Sequence, residues 1–519
     1  MNLSGLLQDT PDVRTAMIKL NQPDSAPRLN PDQLPNLAKH LGHFFGSQGM
    51  TGYIVGGAVR DALLGRLSKD LDVAIEGNVE TFFVAHKLST EIGGRAVPII
   101  KNHQATRLML TAENSLLNVD ISNAANGIHT DLSKRDFTID AMAIDLNSIM
   151  TEPWATLIDP FGGAADISSG IIKATAPEVF EEDPARLLRA PRLAAQLGFR
   201  IDNQTAKTIR EQAHLVQSVS AEQIRDELLK TLREPNAAQS IRLLDRLGLL
   251  TNIFPELEKA RNITQPKEHY WKVLDHSIET VDKIELLTQR RIDASNVVNV
   301  TPWSAETSSH FANEAGDGHT RLTLLKLIGL LHDIGKPNTK TVEASGKMRF
   351  LGHHTLGAEM TEKILDRLRL NRKSIEIAVK VVEHHLRPSQ MSHGSNLPSP
   401  KAVYRYCRDL GDAALDTLYL NLSDYLAARG PGLNQADWQA HCNKIGHVLA
   451  SRNDQKKELS EPKLISGAGI MNSFSLEPGP QIGHLIELVR EAQASGEVST
   501  TDEAFELVRA ILNSGDACA

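Results

Sequence analysis

Two aspartates two residues apart open an apolar run in the segment KDLDVAI, at Asp70 and Asp72. In a strand alternate side chains share a face, so both carboxylates point the same way. Like charges this close repel, and a hard divalent cation is the simplest reason to keep them together. Two magnesium ions held by such a pair can activate an attacking hydroxyl and stabilise a leaving pyrophosphate. Asp120, in the strand-like LLNVDIS, is a candidate third carboxylate from a neighbouring strand. Upstream, YIVGGAVRDALLG reads as a strand, a Gly-Gly turn and a short helix closed by Gly65. Small glycines let backbone N–H groups approach an anion there, and Arg60 in the first helical turn offers a fork of donors to a phosphate.

Two further constellations lie downstream. Asp183, Arg186, Arg189 and Arg192 recur every three residues, so a helix would sweep them around one broad side while Leu187, Leu188, Leu193 and Ala194 bury the other. Pro191 is placed to kink that helix after Arg189. The second constellation is His276 in LDHSIETV, His332 and Asp333 in LLHDIGKP, His353 or His354, His384 or His385, and Asp424 in LSDYLA. Neutral imidazoles and carboxylates together suit a divalent metal, either a transition metal or magnesium. A His-Asp pair at the end of an apolar helix, halted by Gly335 and Pro337, is hard to explain as core packing.

The elements that must position these groups follow from periodicity. Residues 1–48 read as an N-terminal extension, with a Pro-rich patch from Gln22 to Pro35 and a short amphipathic helix from Leu34 to Phe45. Residues 49–166 read as a mixed α/β head, because short β-rich runs (YIV, LDVAI, RLMLT, NVDI, AMAID) alternate with helical ones. Residues 167–266 have helical spacing and form a neck. Residues 267–430 are a second, His-rich helical region, in which Asp293 to Thr320 reads as a mobile insertion from its Asn, Ser, Gly and Asp content. Residues 431–519 are a final helical region with a turn at LEPGPQIG.

At 519 residues the chain exceeds one hydrophobic core. Aromatics make up only 4%, which argues against a base-stacking surface, and the net charge of −8 requires any nucleic-acid contact to come from locally clustered cations. Cys407, Cys442 and Cys518 are widely spaced and odd in number, which argues against a disulfide framework or a zinc site and fits a reducing cytoplasm. The start carries no charged leader with an apolar run, and no stretch reaches about 18 apolar residues, so no membrane association is expected.

GGAVRD, DLD, DLSKRDFTIDAMAID and EDPARLLRAPRLAAQLGF occur in this order, followed by SAEQIRDELLK and LLTNIFPEL. Each is weak alone. Together they resemble the class II CCA-adding enzyme and bacterial poly(A) polymerase family over about Tyr53 to Leu257. The resemblance implies a polymerase-beta-like nucleotidyltransferase head followed by all-α neck, HD and C-terminal domains. It implies that Asp70 and Asp72 bind magnesium, that Gly57, Arg60 and Arg135 contact the incoming nucleotide, that Asp183 and Arg186 hold its base, and that Arg189 and Arg192 also bind nucleotide. The base assignment has a physical logic, since an enzyme without a nucleic-acid template can present a carboxylate acceptor and a guanidinium donor instead.

The downstream string resembles the HD phosphohydrolase superfamily, with His276, His332, Asp333 and Asp424 matching its H…HD…D signature. His353 and His385 are similar to the fuller sets that hold two metals, with each doublet leaving one choice open. The implied activity is addition of CMP or AMP from CTP or ATP to the 3′ end of tRNA, with a divalent-metal phosphohydrolase attached. Two departures stand out. Lys134 and Asp140 replace a usual Arg and Asn, and only SNAANGIHT joins Asp120 to Asp131, where many relatives carry a longer charged segment. Loss of that segment goes with CC-only addition in the family. Full CCA addition, A-only addition and poly(A) synthesis are alternatives with overlapping motifs. A hydrolase with an inactive, RNA-binding head is another, against which the intact Asp70, Asp72, Arg135 and Asp183 to Arg192 set weighs.

Overall fold

The computed structural model describes residues 28–29, 36–66, 68, 70–99, 105–112, 115–151, 155–392, 396–460 and 464–514; Cys518 and most of the Pro-rich patch lie outside them. The chain forms two compact units, 1–219 with 247–249 and 220–246 with 250–519. The division runs through the segment read as a single neck. Its first part joins the head by backbone pairing, with Thr138 N–H donating to Lys173 and Thr175 N–H to Asp136.

The head is built on eight strands: β1 (Arg28–Leu29), β2 (Gly52–Val55), β3 (Asp70–Glu76), β4 (Arg95–Pro98), β5 (Ala105–Ala112), β6 (Ser115–Ala124), β7 (Ala143–Asp145) and β8 (Ala155–Ile158). Their order is β1-β8-β7-β2-β3-β6-β5-β4, and every neighbouring pair is antiparallel except β3 with β6. A parallel pair needs a crossover, and the helix Thr81–Ile92 supplies it. That helix packs on β4, β5 and β6. Leu71, Val73 and Ile75 of β3 are buried, as are Leu108 of β5 and Val119 and Ile121 of β6.

The other face alternates with this one and carries Asp70 and Asp72. It is closed at one end by Ile128 and Leu132 of the helix Ile128–Ser133, which cluster with Tyr53, Val55 and Ala74. The aspartate end stays open.

The stretch read as an extension contributes to this core. Its helix is Asn36–Ser47, and Leu37, Ala38, Leu41, Phe44 and Phe45 are buried; a Cβ on Gly52 of β2 would come within 2.9 Å of the Phe45 ring. An amphipathic helix gains most of its stability by burying its apolar side in this way.

The second unit is helical. Val273–Thr288, Arg321–Leu331, His353–Arg367, Arg372–His384 and Ala414–Arg429 pack together, and the fully buried Lys326 and Glu285 pair at 2.9 Å between two of them. Lys326 Nζ also donates to the carbonyls of Leu232 and Glu234, while Glu285 accepts from the N–H groups of Ala237 and Ala238. Both charges are thus saturated with partners, the condition for tolerating an ion pair in a core.

Asp293 to Thr320 is a folded insertion rather than the mobile one expected. It contains helices Ser295–Val298 and Ala305–Ala312 and the hairpin Glu314–Gly316 with His319–Thr320. Val297, Val298 and Phe311 are buried, and Phe311 meets Trp303 and Tyr419 in aromatic contacts of 6.2 and 5.1 Å. These few apolar anchors outweigh the polar composition. Beyond it, helices Gly467–Phe474, Pro480–Ala494 and Thr501–Ser514 form a small core of their own. Among the described residues no helix is long and apolar enough to cross a membrane.

Candidate active sites

Register decides the head site. Pairing of β3 with β6 sets Asp70 beside Asn118 and Asp72 beside Asp120, so three carboxylates share the open face. Asn118 Nδ2 donates to Asp70 Oδ1 at 2.9 Å, and Arg107 on β5, directly opposite Asp120, holds both its oxygens at 2.7 Å. Burial pushes the Asp72 carboxyl above its ordinary range; Arg135 opposes this, and Asp120, Asp140 and Asp70 push it further up. Such a donor set fits a hard divalent cation, which would relieve the repulsion among the carboxylates.

The Gly-Gly turn closes this site on the β2 side. Gly56 has φ 71°, and a Cβ there would lie 2.7 Å from Arg135 Nη1 and 3.2 Å from Asp72 Oδ2. Arg135 is braced by Asp131 Oδ2, at 3.2 Å from Nε and 3.1 Å from Nη2.

Arg60, expected to face a phosphate, is placed differently. It is buried, folded over Gly57, with Nη1 on Asp140 Oδ1 at 2.6 Å and Nε and Nη2 on Asp61 Oδ1 at 2.9 Å. The physical reason is Asp140, whose carboxylate gives the guanidinium a buried charged partner.

Asp183 precedes its helix, which spans Arg186–Leu197 and continues through Pro191. Asp183 Oδ1 accepts from the Ala185 N–H at 3.1 Å, a local bond typical of helix starts. Arg186 donates to the carbonyls of Lys134 at 2.8 Å and Val179 at 3.1 Å and lies 3.8 Å from Asp183 Oδ2. Arg189 pairs with the buried Asp136 at 2.8 Å, and Arg192 donates to Gln196 at 2.9 Å. The four residues therefore do not form one ladder, because the chain turns between Asp183 and Arg186.

The helical unit assembles its histidines around Asp333. His276 Nε2 lies 2.9 Å from Asp424 Oδ1 and 3.4 Å from Asp333 Oδ2; His332 Nε2 is 3.3 Å from the same Asp333 oxygen. His353 and His385 approach the other Asp333 oxygen at 3.5 and 3.9 Å. Ligand atoms of His276, His332 and Asp333, and of Asp333, His353 and His385, lie within 4.8 Å of one another.

Three of these rings share one device. His332, His353 and His385 direct Nδ1 at the carbonyls of Gly329, Phe350 and Val382, at 2.8, 2.7 and 2.7 Å. A carbonyl only accepts, so Nδ1 carries the proton and Nε2 presents its lone pair inward. The Nε2 atoms of His332 and His353 and Asp333 Oδ1 are buried with no hydrogen-bond partner, a donor set whose chemistry fits a divalent cation. Burial holds His385 down to about 3 and lowers His353, which favours the neutral ring in both. Burial opposes charge on His332 too, but Asp333 and Asp424 outweigh it and lift it to about 10; a cation held by the same carboxylates would displace that proton. Within the doublets His353 and His385 are buried beside Asp333, while His354 and His384 are half-buried.

Several residues escaped sequence reasoning. Arg107 needed the β5–β6 register. Lys336, adjacent to the HD pair in LLHDIGKP, donates to Asp333 Oδ2 at 2.6 Å and to Gln265 Oε1 at 2.7 Å. His269 stacks edgewise on His276 at 5.3 Å, and burial lowers it to about 4. A lone His in PKEHYW carried no signal.

Residues 52–173 match the Poly A polymerase head domain, 198–261 the probable RNA and SrmB-binding site of polymerase A, and 273–429 the HD domain. An A-adding tRNA nucleotidyltransferase of Deinococcus radiodurans is 32% identical over 463 residues, spanning 88% of this chain and 94% of that one. The chain belongs to the tRNA nucleotidyltransferase and poly(A) polymerase family. Another member, a CC-adding tRNA nucleotidyltransferase of Thermus thermophilus, is 28% identical over 457 residues, covering 87% of this chain and 91% of its own. Among solved structures of this nucleotidyltransferase family, a CCA-adding enzyme in complex with ATP shares the fold at a TM-score of 0.60 and 23% identity, over 92% of this chain and 94% of that one. The Thermotoga maritima CCA-adding enzyme complexed with tRNA does so at 0.57 and 22%, over 92% and 95%.

Proposed function

We propose that the head adds CMP or AMP, without a nucleic-acid template, to the 3′ end of tRNA in the cytoplasm, and that the HD region hydrolyses phosphoesters. The observation that carries the transferase reading is the β3–β6 register, which sets Asp70, Asp72 and Asp120 on one open face beside the Gly56–Gly57 turn and Arg135. The names of the relatives supply the substrate.

In this reading Asp70, Asp72 and Asp120 would hold magnesium, which when bound would supply charge stabilisation for the attacking 3′ hydroxyl and the leaving pyrophosphate. The turn at Gly57 and Arg135 take the triphosphate. Arg60 holds the turn through Asp140 and Asp61. Asp183 and Arg186 present an acceptor and a donor to the base, and the bonds from Arg186 to Lys134 and Val179 keep the donor oriented. Arg189 and Arg192 support the nucleotide from the same helix. In the other unit His276, His332, Asp333, His353, His385 and Asp424 would hold a divalent metal pair, which when bound would supply an activated water.

Strand β6 ends at Ala124 and the next helix starts at Ile128, so the connection leaves no room for a long flexible segment. Addition is therefore expected to stop after the second C. The test incubates the protein with tRNA lacking all of CCA, lacking CA and lacking the last A, with each nucleotide supplied singly, and sequences the products. No extension of any of the three sinks the transferase reading; efficient addition of the terminal A sinks the stalling.

A further inference from the structure

The open face of the head sheet continues past the carboxylates. In one row Asp72, Asp120, Arg107 and Val97 stand side by side across β3, β6, β5 and β4; in the next row Asp70, Asn118, Met109 and Arg95 do. Two arginines thus occupy the outer part of a face whose centre is acidic. Arg107 is 46% exposed although it holds Asp120 with two bonds, and Arg95 is exposed. The Gly56 turn and Arg135 crowd Asp72 from the β2 side. Because the strand order is β2-β3-β6-β5-β4, Arg107 and Arg95 lie on the opposite flank of the carboxylates.

Nucleotidyl transfer gives those flanks different tasks. The RNA 3′ oxygen forms a bond to the α-phosphorus, pyrophosphate departs with the electron pair of the broken P–O bond, and the hydroxyl proton passes to solvent. Attacking and leaving oxygens lie roughly in line on opposite sides of the phosphorus. With the triphosphate on the Gly57 flank, the 3′ hydroxyl and the phosphodiesters preceding it arrive from the β5–β4 flank.

We infer that Arg107, with Arg95 beside it, is the docking edge for backbone phosphates at the 3′ end of the acceptor RNA, and that Asp120 is the carboxylate Arg107 releases on docking. This rests on the transferase reading of the head. An exposed bidentate pair is worth little net, and the guanidinium fork matches phosphate as well as it matches carboxylate, so the exchange is easy. Arg107 is a positioning residue in this scheme.

The experiment compares full-length wild type with Arg107→Ala, Arg107→Lys and Arg95→Ala. Steady-state extension is measured with RNA and nucleotide varied separately, alongside anisotropy of a 5′-labelled acceptor RNA at several salt concentrations. Arg107→Ala is expected to raise the RNA KM and Kd about tenfold and to lower the slope of log Kd against log salt by about 0.7, one single-strand phosphate contact. The nucleotide KM should stay within about twofold, because the triphosphate lies on the other flank. Arg107→Lys should keep the salt slope while losing part of the affinity, and Arg95→Ala should weaken RNA binding by about threefold. Unchanged RNA binding and salt slope in Arg107→Ala would overturn the inference, as would a rise in nucleotide KM alone. A wild type that does not extend RNA at all sinks the transferase reading instead, so the two failures are distinguishable.

Discussion

Replacing Gly56 by alanine puts a methyl group where Arg135 and Asp72 meet. Two costs follow, and they are separable. The backbone at φ 71° and ψ −138° is rarely adopted by residues with a side chain, which costs about 1–3 kcal/mol. For a unit of this size that lowers the melting temperature by about 2–4 °C per kcal/mol. The second cost is local. The new Cβ would sit 2.7 Å from Arg135 Nη1, so the guanidinium must retreat by about 0.8 Å or more to reach ordinary contact. It is braced by Asp131 and cannot retreat without giving up those bonds. A catalytic group displaced by about 1 Å costs on the order of a hundredfold in rate.

Gly127 is the control. Its φ of 84° and ψ of 159° impose comparable strain, but a Cβ there meets only Glu76 Oε1, at an ordinary 3.8 Å. Both alanine variants should therefore melt several degrees early, while only Gly56→Ala should lose kcat/KM for nucleotide, by about a hundredfold. The assay is single-nucleotide extension of tRNA with nucleotide varied, paired with thermal melts. A Gly56→Ala protein that melts early yet keeps wild-type kcat/KM would show that Arg135 and Asp72 do not meet the nucleotide beside this turn.

Two other outcomes are expected. Asp72→Ala should abolish extension while phosphoester hydrolysis continues, and His332→Ala or Asp333→Ala should do the reverse; loss of both activities in either variant, measured on the same preparations, would show that the sites are not independent. Asp183→Ala should lower CTP and ATP use and narrow their advantage over UTP and GTP. Cytosine and adenine both offer an amino donor beside a ring-nitrogen acceptor, and each unsatisfied group on a wrong base costs about 1–3 kcal/mol. An unchanged CTP to UTP ratio of kcat/KM would remove Asp183 from base selection.

Much of the chemistry was legible because it is written in short-range patterns. A strand alternates its side chains every two residues, so KDLDVAI by itself determined that Asp70 and Asp72 share a face, and β3 shows them at the ends of consecutive alternations. The HD pair at the end of an apolar run, and the helical spacing of the regions around it, were readable for the same reason. Partner choice across the sheet was not. Whether Asp120 stands beside Asp72 depends on the pairing of β6 with β3, set by a crossover more than thirty residues long, and that Arg107 stands beside Asp120 depends on the register of the consecutive strands β5 and β6, in which Ala112 faces Ser115. Within the His doublets only burial separates neighbours that a sequence treats alike. Arg60 could be recognised as a donor, but its partner Asp140 lies 80 residues away, and only the fold brings the two charges to 2.6 Å. The insertion from Asp293 to Thr320 was misjudged because it is rich in Asn, Ser, Gly and Asp, whereas its order comes from Val297, Val298 and Phe311 entering a core built by distant helices. Local periodicity depends on backbone geometry that each residue carries with it; the identity of the group across the gap depends on long-range packing, which exists only once the chain has closed on itself.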